Sequence, residues 1–169
     1  MSQTTGEESM STSYIRFAAM IATSTLVMFG LMYLNTFAAD HAWFSQTRMW
    51  MALYMGAAMA AVMLSFMLGM YRNTRLNAAI FAAAALVFAG SLYLVRSQDT
   101  VGDEAWMKAM IPHHSIAILT SSRARLEDPR VRELAGDIID TQRLEIAEME
   151  ALIADLNGGP EATPEVDGR

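Results

Sequence analysis

MWMALYMGAAMAAVMLSFMLGMY, residues 49–71, contains no charged side chain. As a helix rising ~1.5 Å per residue it is long enough to cross the ~30 Å hydrocarbon core of a bilayer. Phe17 to Ala39 lies before it and Ala78 to Val95 after it, both again without charge. Each run is near or above the roughly 18 to 20 residues that a membrane helix needs. In a 169-residue chain with 53% hydrophobic side chains, this clustering predicts three transmembrane helices rather than one compact core. A cleaved signal peptide is the competing reading of the first run, because the small residues Ala38 and Ala39 close it. The run exceeds the usual apolar core of ~7 to 15 residues, and Glu7 and Glu8 precede it, so a retained helix is expected.

Charge divides the chain. Residues 1–96 hold five basic and three acidic groups, and residues 97–169 hold seven basic and fifteen acidic, so the C-terminal part nets −8. Such a surface is wrong for nucleic acid, which recruits basic groups. Arg72 and Arg75 crowd the link between the second and third runs. Lys and Arg in short loops favour the cytoplasm, so that link and Arg16 are expected inside. The acidic part is then extracytoplasmic, in the periplasm if the membrane is a bacterial inner membrane. The absence of cysteine agrees with an oxidising compartment.

Within the membrane part, Met51, Met55, Met59, Met63 and Met67 recur every fourth residue. A Cu(I) relay and a flexible packing face both account for such a row, and small neighbours such as Gly56, Ala57 and Ala60 favour packing. No His or carboxylate marks a transport path there. Trp43 and Phe44 in the link before it, and Trp50 at the start of the run, suit the headgroup belt. His41 in that link is either a solvated loop residue or an outer copper contact.

The acidic part predicts two helices. Asp103 and Glu104 favour a helix start, and helical spacing continues to about Arg125. Asp128-Pro129 is a second start, an N-cap followed by Pro at the first helical position. Val131, Leu134, Ile138, Ile139, Ile146, Met149 and Ile153 then recur at threes and fours, and Asn157-Gly158-Gly159-Pro160 ends the helix. The expected order is a flexible tail at 1–16, three membrane helices at 17–96, an antiparallel helical hairpin at 97–157 and a disordered tail at 158–169.

Met107, Met110, His113 and His114 bring thioether and imidazole ligands into one short stretch, the donor set that copper selects. If the turn centres near residue 127, residues at equal height have numbers summing to about 254, at ~1.5 Å rise per residue. Met107 and Met110 then face a level shared by Glu145 and Met149, with Gln142 nearby. Consecutive histidines diverge by about 100° on a regular helix. Pro112 either kinks the helix so that one or both histidines join the pocket, or begins a new helix and leaves both solvated.

Met107-Lys108-Ala109-Met110-Ile111-Pro112-His113-His114 followed by Ala117, then Leu134-Ala135, Ile138-Ile139, Gln142, Glu145-Ile146 and Met149, resembles the pattern of the DUF305 family, in its membrane-tethered branch. The resemblance implies a ferritin-like helical domain that binds copper outside the cytoplasm. It implies Met107, Met110, His113, His114 and Met149 as ligands, with Glu145 beside them. Many members place a methionine soon after the double histidine, where this chain has Ile118-Leu119.

These readings predict an all-α membrane-anchored copper-binding protein for sequestration or handover. The alternative is a structural or accessory subunit of a larger membrane complex. No enzyme is expected, because no catalytic triad or phosphate loop is visible. The Glu-x-x-His pairs of a ferritin-type di-iron site are also missing, since Ala38, Met110 and Ile111 stand three residues before His41, His113 and His114. A two-helix unit buries little surface alone, so a second copy or a membrane partner is expected on it.

Overall fold

The computed structural model describes the backbone of residues 3–162 and the side chains of residues 12–162. It is all-helical: α1 (Gln3–Leu31), α2 (Gln46–Phe66), α3 (Thr74–Ser97), α4 (Asp103–Arg123) and α5 (Pro129–Leu156), with a 3-10 turn at Ala39–His41 and no strand among the described residues. The chain forms two units, Met1–Met32 with Thr47–Thr100, and Tyr33–Gln46 with Val101–Arg169.

In the first unit, Thr12–Leu31, Gln46–Phe66 and Thr74–Ser97 are long and apolar enough to cross a membrane. Phe17, Leu64 and Tyr71 form its core, with Ile21, Met63, Met67 and Ile80 packed around them. The methionine row of α2 therefore serves packing at two of its members. At Gly56 α1 comes close, since a Cβ there would collide with Thr25 Oγ1. Large apolar side chains elsewhere point outward, as at Phe66 (88% exposed), Leu86 (75%) and Leu26 (71%). A helix apolar all round calls for lipid or another chain about it.

α1 departs from expectation at both ends. It starts at Gln3, so much of the segment expected as a flexible tail is helical. No proline interrupts residues 1–16, and lengthening an existing helix avoids the cost of nucleation. It stops at Leu31 rather than near Ala39. Beyond that point Arg48 donates from Nη1 to Met32 O at 2.8 Å, and Thr36 Oγ1 donates to Tyr33 O at 3.0 Å. These bonds take up carbonyls freed at the helix end. Arg48, just before the uncharged run of residues 49–71, lies in the first turn of α2 and is buried. At the start of α3, Asn73 Oδ1 accepts from Leu76 N at 3.1 Å.

The second unit is built on α4 and α5. Met107, Ile111 and Ile118 meet Ile146, Met149 and Ile153 in one core, against which Met110, Ile139 and Trp43 pack. Trp43, expected at headgroup depth, is thus part of this packing, with Lys108 Nζ 5.6 Å from its ring centre. Asp128 caps α5 by accepting from Arg130 N at 2.9 Å, with Pro129 at the first position. α4 continues through Pro112, so no new helix starts there.

Two cross-helix pairs fix the register. Glu104 Oε1 accepts from Asn157 Nδ2 at 3.0 Å, and His114 Nδ1 lies 3.0 Å from Glu145 Oε2. Residues 104 and 157 total 261, and residues 114 and 145 total 259, against the expected 254 or so, which slides α5 along α4. The extended backbone at Ala124 and Asp128 carries the chain onward before α5 begins. The first turns of α5 therefore overhang the end of α4, and Leu134 is 58% exposed. After α5, Gly158 adopts φ 82, a left-handed conformation natural to glycine. Gly159 N donates to Ala154 O at 2.8 Å and Ala162 N to Asp155 Oδ2 at 3.2 Å, so the start of the tail expected to be disordered folds back on the helix end. Residues 163–169 of that tail lie outside the described residues.

Candidate functional site

Met107, Met110 and His114 are spaced three and four apart, which places them along one face of α4. Glu145 and Met149, four apart, do the same on α5. Met107 and Met149 are buried in the shared core, and Met110, half-buried, packs against it. The His114 side chain is 14% exposed and lies beside Glu145, which is 44% exposed. Gln142 Nε2 donates to the same Glu145 Oε2 at 3.0 Å and so helps to hold the carboxylate in place.

The contact between His114 and Glu145 is close without being a hydrogen bond. Nδ1 lies 3.0 Å from the carboxylate oxygen, yet this buried nitrogen has no partner with hydrogen-bond alignment. Burial pushes the His114 pKa below its usual value, Glu145 opposes that shift, and His113 adds to it. Burial outweighs the carboxylate, so the imidazole is neutral at pH 7. A neutral imidazole carries one proton, on Nδ1 or on Nε2, and an unprotonated Nδ1 would present a lone pair next to an anionic oxygen.

The register sorts the sequence-predicted residues. With facing numbers totalling near 260, Met149 stands opposite Ile111, and Met107 opposite Ile153, deeper among isoleucines. Met110 and Met149 are each one turn from His114 and Glu145 respectively. The six residues therefore separate into a group of Met110, His114, Glu145 and Met149, with Met107 one turn beyond and His113 turned away. His113 is exposed, its ring centre 6.0 Å from that of His114 and tilted by 59°. No cluster of three His, Asp or Glu suited to a metal occurs among the described residues. A site here has to be completed by thioethers.

Sequence reading missed Ser115. Fully buried, its Oγ accepts from Phe37 N at 2.7 Å and lies 2.9 Å from His41 Nδ1. His41 thus engages the residue next to His114 in sequence. The available signal was a serine four after Ile111 and three before Ile118, on the apolar stripe, where a hydroxyl demands a partner.

Residues 89–166 match a family described as a domain of unknown function, DUF305. An uncharacterised protein of Acanthamoeba polyphaga mimivirus is 42% identical over 64 residues, which cover 37% of this chain and 42% of that protein. The chain thus spans less than half the length of this curated relative. No solved structure matches the chain.

Proposed function

We propose that the protein is a membrane-anchored copper-binding protein that sequesters or hands on the ion at the extracytoplasmic face. The reading rests on one observation: the buried Nδ1 of His114 lacks a hydrogen-bond partner and lies 3.0 Å from a carboxylate oxygen, one turn from two thioethers. Burying an unpartnered polar atom is unfavourable, and a cation shared by imidazole and carboxylate would satisfy both groups. Imidazole and thioether donors select copper over harder ions such as magnesium or calcium. His114, Met110 and Met149, with Glu145, would hold the ion, whether Cu(I) or Cu(II). Met107 and His113 would sit outside this set.

The three apolar helices supply the anchor. Arg16, Arg72 and Arg75 set their orientation, which leaves the acidic unit outside a bacterial inner membrane. The test is the copper content of the full chain purified in detergent, as parent, His113→Ala and His114→Ala. Parent and His113→Ala retain copper at low micromolar concentration and His114→Ala loses it. A parent that binds none sinks the proposal.

Association with a second copy or a partner membrane protein has its own support. Leu134, Leu152 and Leu156 are 58%, 37% and 62% exposed and border the buried stripe of α5. A structural subunit without metal chemistry would keep its oligomeric size in chelator and would contain no copper. Mass measurement in mild detergent, with and without chelator, separates the two readings.

A further inference from the structure

A cavity of about 550 Å³ opens between α1, α2 and α3, within the first unit. Its walls are apolar and small: Phe17, Ala22, Gly56, Ala57, Ala84 and Val87 lie along it. The lining runs on α1 from Tyr14 to Leu26, about 18 Å at ~1.5 Å per residue. That length is close to the depth of one leaflet, half of a ~30 Å hydrocarbon core.

The two ends differ. At the Tyr14 end the rings of Tyr14 and Phe17 pack on Tyr71, with centres 4.9 and 5.4 Å apart. Tyr14 OH donates to Asn77 Oδ1 at 2.8 Å, and Asn77 Nδ2 donates to Tyr71 O at 2.7 Å, so this end is a fixed polar rim. Arg72 and Arg75 flank Asn73, whose N donates to Tyr14 OH at 3.2 Å, so they stand at this end, and both are exposed; Arg16, two residues after Tyr14, lies on the opposite face of α1. Between residues 12 and 98 the chain has one acid, Asp40, and it belongs to the other unit. The Leu26 and Val87 end carries no charge.

We infer that this groove holds one acyl chain of an anionic phospholipid, whose phosphate is met by Arg72 and Arg75. Guanidinium groups suit phosphate oxygens through paired hydrogen bonds, and basic pockets between membrane helices recruit anionic headgroups. The inference rests on the membrane-spanning reading of α1–α3 and is independent of copper.

The test uses the full chain in mild detergent, incubated with equal amounts of phosphatidylglycerol and phosphatidylcholine of the same chain length and read by native mass spectrometry. The parent retains phosphatidylglycerol at least tenfold over phosphatidylcholine. The double variant Arg72→Gln, Arg75→Gln changes exposed groups only and brings the ratio to near one. Ala22→Phe with Ala83→Phe, both groove-lining and exposed, removes retention of either lipid. Equal retention of the two lipids by the parent overturns the inference, as does a preference that survives the arginine replacements. A dimer mass with the groove lipid-free also overturns it, by assigning the groove to a second copy. Alkaline carbonate extraction of the host membranes reports separately: release of the chain refutes the membrane reading itself.

Discussion

Met149 is the residue at which packing and ligation most directly compete, and two substitutions separate them. It is 6% exposed among Ile146, Ile153, Met107 and Ile111. Replacement by leucine conserves volume and costs less than about 1.5 kcal/mol, whereas alanine leaves a cavity and costs about 2 to 5 kcal/mol. Amide hydrogen exchange over α4 and α5 in the full chain reads these costs directly, since ~1.4 kcal/mol is about tenfold in rate. Without copper, exchange in these helices should speed up by no more than about tenfold in Met149→Leu and by about thirtyfold or more in Met149→Ala. Copper at a hundred times its dissociation constant adds about 2.7 kcal/mol, so the parent should exchange about a hundredfold more slowly when loaded.

If the Met149 thioether is a ligand, Met149→Leu keeps the fold and loses most of that protection. A tenfold weaker site at the same free copper leaves protection of about tenfold. If Met149→Leu keeps the full hundredfold protection, its sulfur is a core atom only, and the reasoning from the α4–α5 register to ligation fails. Met107→Leu, at a level opposite Ile153, serves as the control and should keep the parent's copper protection.

The unusual state of His114 predicts a pH dependence. Its folded pKa is depressed, so the neutral form contributes stability that is complete above the unfolded value near 6.5 and is lost as pH falls through the folded value. Protection of α4 and α5, taken relative to the intrinsic exchange rate at each pH, should therefore fall below about pH 6.5 in the parent and not in His114→Asn. Ile118→Ala, at 1% exposed, should destabilise the second unit by about 2 to 5 kcal/mol in the same measurement. Ser115→Ala leaves Phe37 N without its buried acceptor and should cost about 1 to 3 kcal/mol, with faster exchange at residues 33–46 and no change in α3. Gly56→Val should force α1 from α2, because the new side chain meets Thr25, and should lower the thermal stability of the first unit in detergent.

Much of this architecture was legible because it depends on local pattern. An uncharged run such as residues 49–71 has few alternatives to a membrane-length helix, and Asp128-Pro129 fixes a helix start through its own hydrogen bond and ring. Where a helix end depends on a distant group, the sequence is silent. α1 stops at Leu31, where Arg48 from the next helix reaches back to Met32 O. The register of α5 on α4 was missed for a related reason. Counting from the centre of a turn assumes that the link reverses on the spot, and extended backbone at Ala124 and Asp128 moves the chain along instead. A slip of a few residues was enough to exchange Met107 for Ile111 as the neighbour of Met149.

That slip changes the chemistry under consideration more than it changes the fold. Three thioethers at one level would describe a soft Cu(I) site in which the histidines are accessories. The observed register sets Met107 among isoleucines and makes His114 the centre, with Glu145 held by Gln142 on one side and Met110 and Met149 a turn away. Methionine alone cannot identify a site, because the same flexible apolar side chain fills cores, as Met63 and Met67 do against Phe17 and Leu64. A buried imidazole nitrogen is different, since leaving it unpartnered is costly and nothing in the packing of two helices requires it. His114 is therefore the residue on which the metal reading depends, and the methionines count as ligands only insofar as they share its ion.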